Sequence, residues 1–148
     1  MKLKIAVLPG DGIGPEVTNE SIKVLNCIAK KFNHEVEMNE GLVGAIAIDH
    51  HNNPYPDETH NLCLESDAIL FGAIGDPKYD NDPKAKIRPE QGLLEMRKKL
   101  GLYANLRPTL VFDSLLHMSP IKEERITGTD ILFVRELTGG IYFGERGR

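Results

Sequence analysis

The stretch KIAVLPGDGIGPE, residues Lys4–Glu16, decides the fold class of this chain. It begins with a short apolar run, Lys4–Leu8, which is typical of a strand buried on both faces. Pro15 suits the first position of a helix, and Glu16 suits the positive end of the helix dipole. We therefore predict a strand, a glycine turn and a helix that continues to about Phe32.

Strands and helices alternate along the rest of the chain, which predicts an α/β fold with a largely parallel sheet. The further predicted strands are His34–Met38, Ala68–Ala73, Leu106–Phe112, Asp130–Leu137 and Ile141–Gly144. We expect the third of these to be at an edge or bulge because of Pro108. The further predicted helices are Pro56–Ser66, Leu93–Leu100 and Ile121–Ile126. The segment Gly41–Ile48 has a mixed pattern, and Asp76–Glu90 is expected to be a polar loop.

Composition places the chain in the soluble globular class, with 148 residues, 41% hydrophobic and 27% charged. A net charge of −4 argues against a general nucleic-acid binder. Cys27 and Cys63 have no zinc spacing and are interpreted as reduced core thiols. No signal peptide and no apolar run of membrane-spanning length is evident, so we expect a cytoplasmic protein.

Three arginines suggest an anion site. Leu93 and Leu94 lie four and three residues before Arg97, so all three can share a helix face. Arg107 precedes a proline, and Arg135 continues an apolar run interpreted as a buried strand. A structural ion pair with a nearby glutamate would explain any single arginine. Three together favour binding of a dicarboxylate, because guanidinium groups match carboxylates in bidentate geometry.

Other motifs leave alternatives open. The glycines at 10, 12 and 14 depart from the dinucleotide-binding fingerprint, so a simple strand-to-helix turn and a ligand-facing turn are both possible. Tyr142 is interpreted as a packing residue or, near arginines, as an acid. Asp49 with His50 and His51 is interpreted as a surface loop and not as a metal site, because no third ligand is apparent.

Longer motifs carry a specific resemblance. GDGIGPEV at 10–17, GDPKYDNDPKAKIRPEQGLLEMRKKLGLYANLRP at 75–108 and VRELTGGIYFGE at 134–145 resemble the isocitrate/isopropylmalate dehydrogenase family, and within it the 3-isopropylmalate dehydrogenases. The resemblance implies a two-domain α/β fold, represented here only by its N-terminal part. Residues 1–102 would belong to the first, cofactor-side domain. Residues 103–148 would begin the second domain, which contributes to substrate binding and dimerisation.

The resemblance implies NAD-dependent oxidative decarboxylation of 3-isopropylmalate to 4-methyl-2-oxopentanoate and CO2 in leucine biosynthesis, by a homodimer that uses Mg²⁺ or Mn²⁺. By motif, Arg97, Arg107 and Arg135 would bind the carboxylates of the substrate. Leu93 and Leu94 would face its isopropyl group, and Tyr142 would be the general acid. Ile13 would touch the adenine side of NAD, and Glu90 would lie near the nicotinamide. The segment along NAD would comprise Asp76, Pro77, Lys78, Tyr79, Asp80, Asn81, Asp82, Pro83, Lys84, Ala85, Lys86, Ile87, Arg88, Pro89 and Glu90.

Two alternatives accompany this interpretation. The substrate could be another malate-type acid, such as isocitrate, homoisocitrate or tartrate, or the chain could be a non-catalytic dicarboxylate-binding module. In the resembled family, the catalytic lysine, the metal-binding aspartates and the adenosine loop come later in the sequence than residue 148. We therefore expect an incomplete fragment with no metal ligands of its own, inactive alone.

Overall fold

The chain forms two compact units, Met1–Leu100 and Gly101–Arg148. The structure is a computed structural model, and it describes residues 1–80, 86–137, 139 and 147. Within this described part, no helix is long and apolar enough to cross a membrane.

The first unit contains a three-stranded parallel sheet in the order β2-β1-β3. Its strands are β1 Lys2–Gly10, β2 Glu35–Glu40 and β3 Ala68–Ala73. Its helices are α1 Gly14–Phe32, α2 Ala45–His51, α3 Asp57–Leu64, α4 Pro77–Asp80 and α5 Pro89–Lys99. This alternation confirms the predicted α/β class with a parallel sheet.

Helix α1 forms as the sequence predicts. Pro15 lies in its first turn with Glu16, and two lysines lie in its last turn, which suits the helix dipole at both ends. The helix ends at Asn33, whose φ of +54° is a left-handed C-cap conformation. Thr18 and Ala29 are buried, which identifies the face of the helix that packs inward.

The core of the first unit lies between the sheet and the helices that follow it. Its buried cluster consists of Ala6, Leu8, Val43, Tyr55, Cys63 and Met96. Residues from β1, α3 and α5 therefore share one core, which fixes these elements relative to each other. Cys63 is buried as predicted, whereas Cys27 is exposed on α1, so the prediction of two core thiols was wrong for Cys27.

Three segment predictions for the first unit need correction. Strand β3, which the sequence predicts to be another buried strand, is only partly buried, because it lies at the sheet edge and β1 is its neighbour in the described sheet. The mixed segment Gly41–Ile48 contains the start of α2. The predicted loop Asp76–Glu90 contains α4, and α5 begins at Pro89, four residues earlier than predicted.

The second unit is built on an antiparallel pair, β4 Ala104–Leu110 and β5 Asp130–Glu136. A 3₁₀ helix, Asp113–Met118, and the short helix α6 Glu123–Ile126 connect them. Every residue of β5 is exposed, so the interpretation of Arg135 as an arginine in a buried strand was wrong. The predicted strand Ile141–Gly144 lies outside the described residues.

Candidate ligand-binding site

A glycine turn joins β1 to α1 at the carboxyl end of the parallel sheet. Gly10 and Gly12 have φ values of +71° and +57°, a region that favours glycine. A Cβ atom on Gly10 would collide with the carbonyl oxygen of Ala73 at the end of β3. The turn therefore brings the N-terminus of α1 to the sheet edge where open α/β sheets bind ligands.

Asp11 is a buried carboxylate at the centre of this turn, only 5% exposed. It accepts hydrogen bonds from the backbone N–H groups of Ala45 at 2.8 Å, Ile46 at 3.0 Å and Gly75 at 3.2 Å. Helix α2 has Gly44 at its N-cap and no side-chain cap there, so Asp11 supplies that cap from elsewhere in the chain. One carboxylate thus holds together the glycine turn, α2 and the segment after β3.

Sequence reasoning missed Asp11. Its partners Ala45 and Gly75 lie 34 and 64 residues away, beyond the reach of any local motif. The sequence contained one indirect signal. Helix α2 begins after Gly44, which has no side chain to cap the helix, so a capping group from elsewhere in the chain was to be expected.

Gly75 and Glu90 meet beside the glycine turn. Gly75 has a φ of +134°, and a Cβ atom placed on it would lie 3.6 Å from Oε1 of Glu90. A Cβ atom placed on Gly12 would lie 3.5 Å from the carbonyl oxygen of Gly75. The structure therefore brings Glu90, a predicted cofactor contact, close to the turn that carries Ile13. Ile13 is 57% exposed.

Asp49 binds two residues of α4. Its Oδ1 atom accepts hydrogen bonds from the Lys78 ammonium at 2.7 Å and from the Tyr79 hydroxyl at 2.6 Å. These two bonds hold the pKa of the Asp49 carboxyl below its usual 3.8. The bond to Asp49 also raises the pKa of Lys78 and the pKa of Tyr79. Two predicted cofactor contacts are thus fixed by a residue that sequence reasoning assigned to a surface loop.

A cleft of about 260 Å³ lies between the glycine turn and α2. It includes Asp76, the first residue of the predicted cofactor segment. Its lining residues are Gly10, Asp11, Gly12, Pro15, Ala45, Ile46, Asp49 and Asp76. The cleft shows that the end of β1 leaves room for a ligand beside Asp49 and Asp76.

Helix α5 approaches the backbone at Pro54 closely. A Cβ atom on Gly92 would collide with the Pro54 carbonyl oxygen, which also accepts a hydrogen bond of 2.8 Å from the Gly44 N–H. The neighbouring Tyr55 is fully buried in the same core cluster as Met96 of α5. Contact between backbone atoms therefore sets the position of α5.

Helix α5 carries three of the predicted substrate contacts. Leu93, Leu94 and Arg97 are all partly buried, and Leu93 also packs against the core. Arg97 lies one helical turn after Leu93, as predicted. Leu93 therefore has a structural role in addition to any contact with a ligand.

The other two predicted substrate arginines lie on one face of the β4–β5 pair. Arg107 is paired with Phe133, and Arg135 is paired with Asn105. Cross-strand partners and residues two apart on a strand share a face, so Arg107 and Arg135 are diagonal neighbours. The Nε atom of Arg107 donates a hydrogen bond of 2.7 Å to the Asn105 side-chain oxygen.

Several predicted residues are not brought into a site by the described structure. Tyr142 and the segment 81–85 lie outside the described residues. Within the described part of the chain, no group of three or more His, Cys, Asp or Glu side chains could hold a metal ion. His50 and His51 are exposed at the end of α2, which is a helix and not the predicted surface loop.

Comparison with known sequences assigns the family. Residues 4–148 match the sequence profile described as isocitrate/isopropylmalate dehydrogenase. The chain belongs to this family. Relatives within the family include 3-isopropylmalate dehydrogenases from Bacteroides fragilis, 55% identical over 146 residues, and from Bacillus subtilis, 56% identical over 145 residues. These alignments cover 99% and 98% of this chain but 41% and 40% of the two relatives. The chain thus spans about two fifths of the length of the curated relatives it matches.

Solved structures of the family share the fold. A β-decarboxylating dehydrogenase from Thermococcus kodakarensis matches 90% of this chain with a TM-score of 0.62 and 32% identity. An isocitrate dehydrogenase from Methylococcus capsulatus matches 95% with a TM-score of 0.71 and 26% identity. The match covers 33% and 36% of those two chains. Family and fold are therefore confirmed, while the roles of individual site residues stay predictions.

Proposed function

We propose that this chain supplies part of the active site of an NAD-dependent, decarboxylating 3-isopropylmalate dehydrogenase of leucine biosynthesis. The observation that carries the proposal is the diagonal pair Arg107 and Arg135 on one face of the β4–β5 pair. Two permanently charged guanidinium groups on one face suit a substrate with two carboxylates. The names of relatives that are 53–57% identical over nearly the whole chain support the particular substrate.

In the proposed reaction, 3-isopropylmalate is oxidised by NAD at its hydroxyl carbon and then loses CO2 to give 4-methyl-2-oxopentanoate. Arg97, Arg107 and Arg135 bind the carboxylates and fix the orientation of the substrate. Leu93 and Leu94 contact the isopropyl group. Tyr142 protonates the enol that remains after loss of CO2.

The NAD site in this proposal uses the carboxyl end of the parallel sheet. NAD supplies the hydride acceptor when bound. Ile13 contacts its adenine side, and the segment Asp76–Glu90 lies along it with Glu90 near the nicotinamide. The close approach of Gly75 to Glu90 and the clasp that Asp49 forms on Lys78 and Tyr79 support this proposal, because they hold Lys78, Tyr79 and Glu90 near the sheet edge.

The proposed reaction also needs Mg²⁺ or Mn²⁺. The described residues do not fit such an ion, since they contain no suitable group of ligands. We therefore place the metal ligands outside the described part of the chain and assign no step to a metal here.

The complete enzyme in this proposal is a cytoplasmic homodimer that acts on a small molecule and binds neither nucleic acid nor membrane. Residues 1–102 contribute to its cofactor-side domain, and residues 103–148 begin its substrate and dimerisation domain. The division of the chain near Leu100 into two compact units supports this boundary.

A fusion protein, called the joined enzyme below, tests the proposal. Residues 1–148 are fused to the portion of the Bacteroides fragilis relative that follows its match to this chain. NADH formation is then measured by absorbance with 3-isopropylmalate, isocitrate, homoisocitrate and tartrate, in the presence of Mn²⁺. The isolated chain and the isolated remainder of the relative are assayed in parallel.

We expect the joined enzyme to oxidise 3-isopropylmalate with the highest kcat/KM of the four acids, and each separate part to be inactive. If kcat/KM were higher with isocitrate, homoisocitrate or tartrate, that acid would be assigned as the substrate instead of 3-isopropylmalate. A folded joined enzyme that oxidises none of the acids, while the isolated chain binds dicarboxylates, would favour a non-catalytic binding module.

A further inference from the structure

We propose that Asn105 is a positioning residue that orients the Arg107 guanidinium for carboxylate binding. This inference rests on the proposed function, because it concerns how the second unit presents its arginines to a dicarboxylate. The Nε–H group of Arg107 donates to the Oδ1 atom of Asn105 at 2.7 Å. Both residues lie on β4, two positions apart, so their side chains leave the strand on the same face.

The bond determines which edge of the guanidinium faces outward. A guanidinium has one N–H on Nε and four on its two terminal nitrogens. Because Asn105 uses the Nε–H, the edge formed by the two terminal nitrogens is left for a carboxylate. That edge provides two parallel N–H donors, the arrangement that a bidentate carboxylate contact requires.

The same bond determines the orientation of the Asn105 amide. Nε–H is always a donor, so the oxygen of the amide must face it and the NH2 group must face away. Asn105 is directly opposite Arg135 in the register. Its NH2 group therefore adds a neutral donor to the face that carries both arginines.

The need for such a residue follows from the exposure of the strands. Asn105 is only partly buried, and Arg107 and Arg135 are exposed along β4 and β5. A long exposed side chain loses rotamer entropy when a ligand fixes it, and a hydrogen bond already made by the guanidinium reduces that loss. Asn105 thus preorganises Arg107 before the substrate binds.

The test uses the joined enzyme with Asn105→Ala and, as a matched control, Thr109→Ala. Thr109 is a polar residue on the same strand and face, opposite Ile131, beyond Arg107. We expect Asn105→Ala to raise the KM for 3-isopropylmalate about 10-fold, because the substrate must then itself immobilise the Arg107 side chain. The kcat and the KM for NAD should change less than about twofold, since chemistry and cofactor binding are untouched. Thr109→Ala should leave all three constants unchanged.

A second measurement keeps the inference testable if the joined enzyme lacks activity. The affinity of the joined enzyme for 3-isopropylmalate is measured by calorimetry, with Asn105→Ala and Arg107→Ala alongside. If Asn105→Ala weakens binding and a substitution to Gln restores part of it, the inference stands even though the proposed reaction fails. If Asn105→Ala binds the acid as tightly as the unchanged protein, or if no binding is detected, the inference is wrong. An active joined enzyme with an unchanged KM in Asn105→Ala would overturn it without affecting the proposed function.

Discussion

Asp11 and Gly75 are joined by a hydrogen bond of 3.2 Å from the Gly75 N–H to the Asp11 carboxylate, across 64 residues of sequence. Asp11 follows β1 and Gly75 follows β3, so the bond connects the carboxyl ends of two paired parallel strands. The same carboxylate caps α2. The buried Asp11 side chain therefore contributes to the stability of this end of the sheet.

Asp11→Asn should lower the free energy of unfolding of the joined enzyme by about 2–3 kcal/mol. The substitution replaces one acceptor oxygen by an NH2 group that faces backbone donors, and it removes the charge from the remaining bonds. Urea denaturation followed by circular dichroism measures this loss. Asp67→Asn is the control, because Asp67 accepts a backbone bond of 2.8 Å from Lys4 at an exposed position. Equal losses in the two variants would show that burial of Asp11 contributes nothing.

Gly10→Ala should destabilise the joined enzyme by more than about 3 kcal/mol, because left-handed strain and a collision with the Ala73 carbonyl add together. Gly101→Ala separates the two contributions. Gly101 has a similar φ of +63°, but no described atom lies within 4 Å of its added Cβ, so only strain of about 1–2 kcal/mol is expected. Thermal denaturation of both variants measures the difference, and similar melting temperatures would contradict the collision.

The Asp49 clasp should depend on pH in a defined direction. The pKa of Asp49 is lowered in the folded protein, so its stabilising contribution is present above the usual carboxyl value of 3.8 and is lost as pH falls through the lower folded value. An NMR titration of the Asp49 carboxyl carbon measures the pKa directly. Tyr79→Phe and Lys78→Gln should each move it back toward 3.8. An unchanged midpoint in both variants would mean that the clasp does not form in solution.

The two cysteines should differ in reactivity. Cys27 is exposed, whereas Cys63 is buried, and burial raises the pKa of the Cys63 thiol. A smaller thiolate fraction and poor access both slow alkylation. Iodoacetamide should therefore label Cys27 in the native joined enzyme and label Cys63 only after addition of urea. Peptide mass spectrometry locates the label, and rapid native labelling of Cys63 would show that the core opens locally.

Elements with local signals were predictable from the sequence. Helix α1 has a proline in its first turn and basic residues in its last, and β1 is a single apolar run, so both were found with nearly correct bounds. Helix α5 was predicted too short. Its start depends on Pro89 at the first helical position and on Gln91, whose side chain accepts a bond from the Arg88 N–H at 3.0 Å. Those signals are present in the sequence but are hidden within a polar segment.

Relationships between distant residues were not predictable. The arginines could be singled out because charged residues in apolar segments are unusual, but the shared face of Arg107 and Arg135 depends on strand register. A slip of one residue would place them on opposite faces. For the same reason, the partners of Asp49 on α4 could not be read from the sequence, since 29 and 30 residues separate them.

The contact of Gly92 with the Pro54 carbonyl oxygen has a consequence for how this family segment tolerates sequence change. The distance of α5 from the Pro54 segment is set by the Gly92 Cα and the Pro54 carbonyl oxygen. Both are backbone atoms, so no substitution at another position alters them as long as position 92 stays glycine. A change of side chain at Leu94 therefore leaves this backbone contact in place. The contact works as a spacer of constant length, so the outer surface of α5 can change in sequence while the distance of the helix from the Pro54 backbone stays the same.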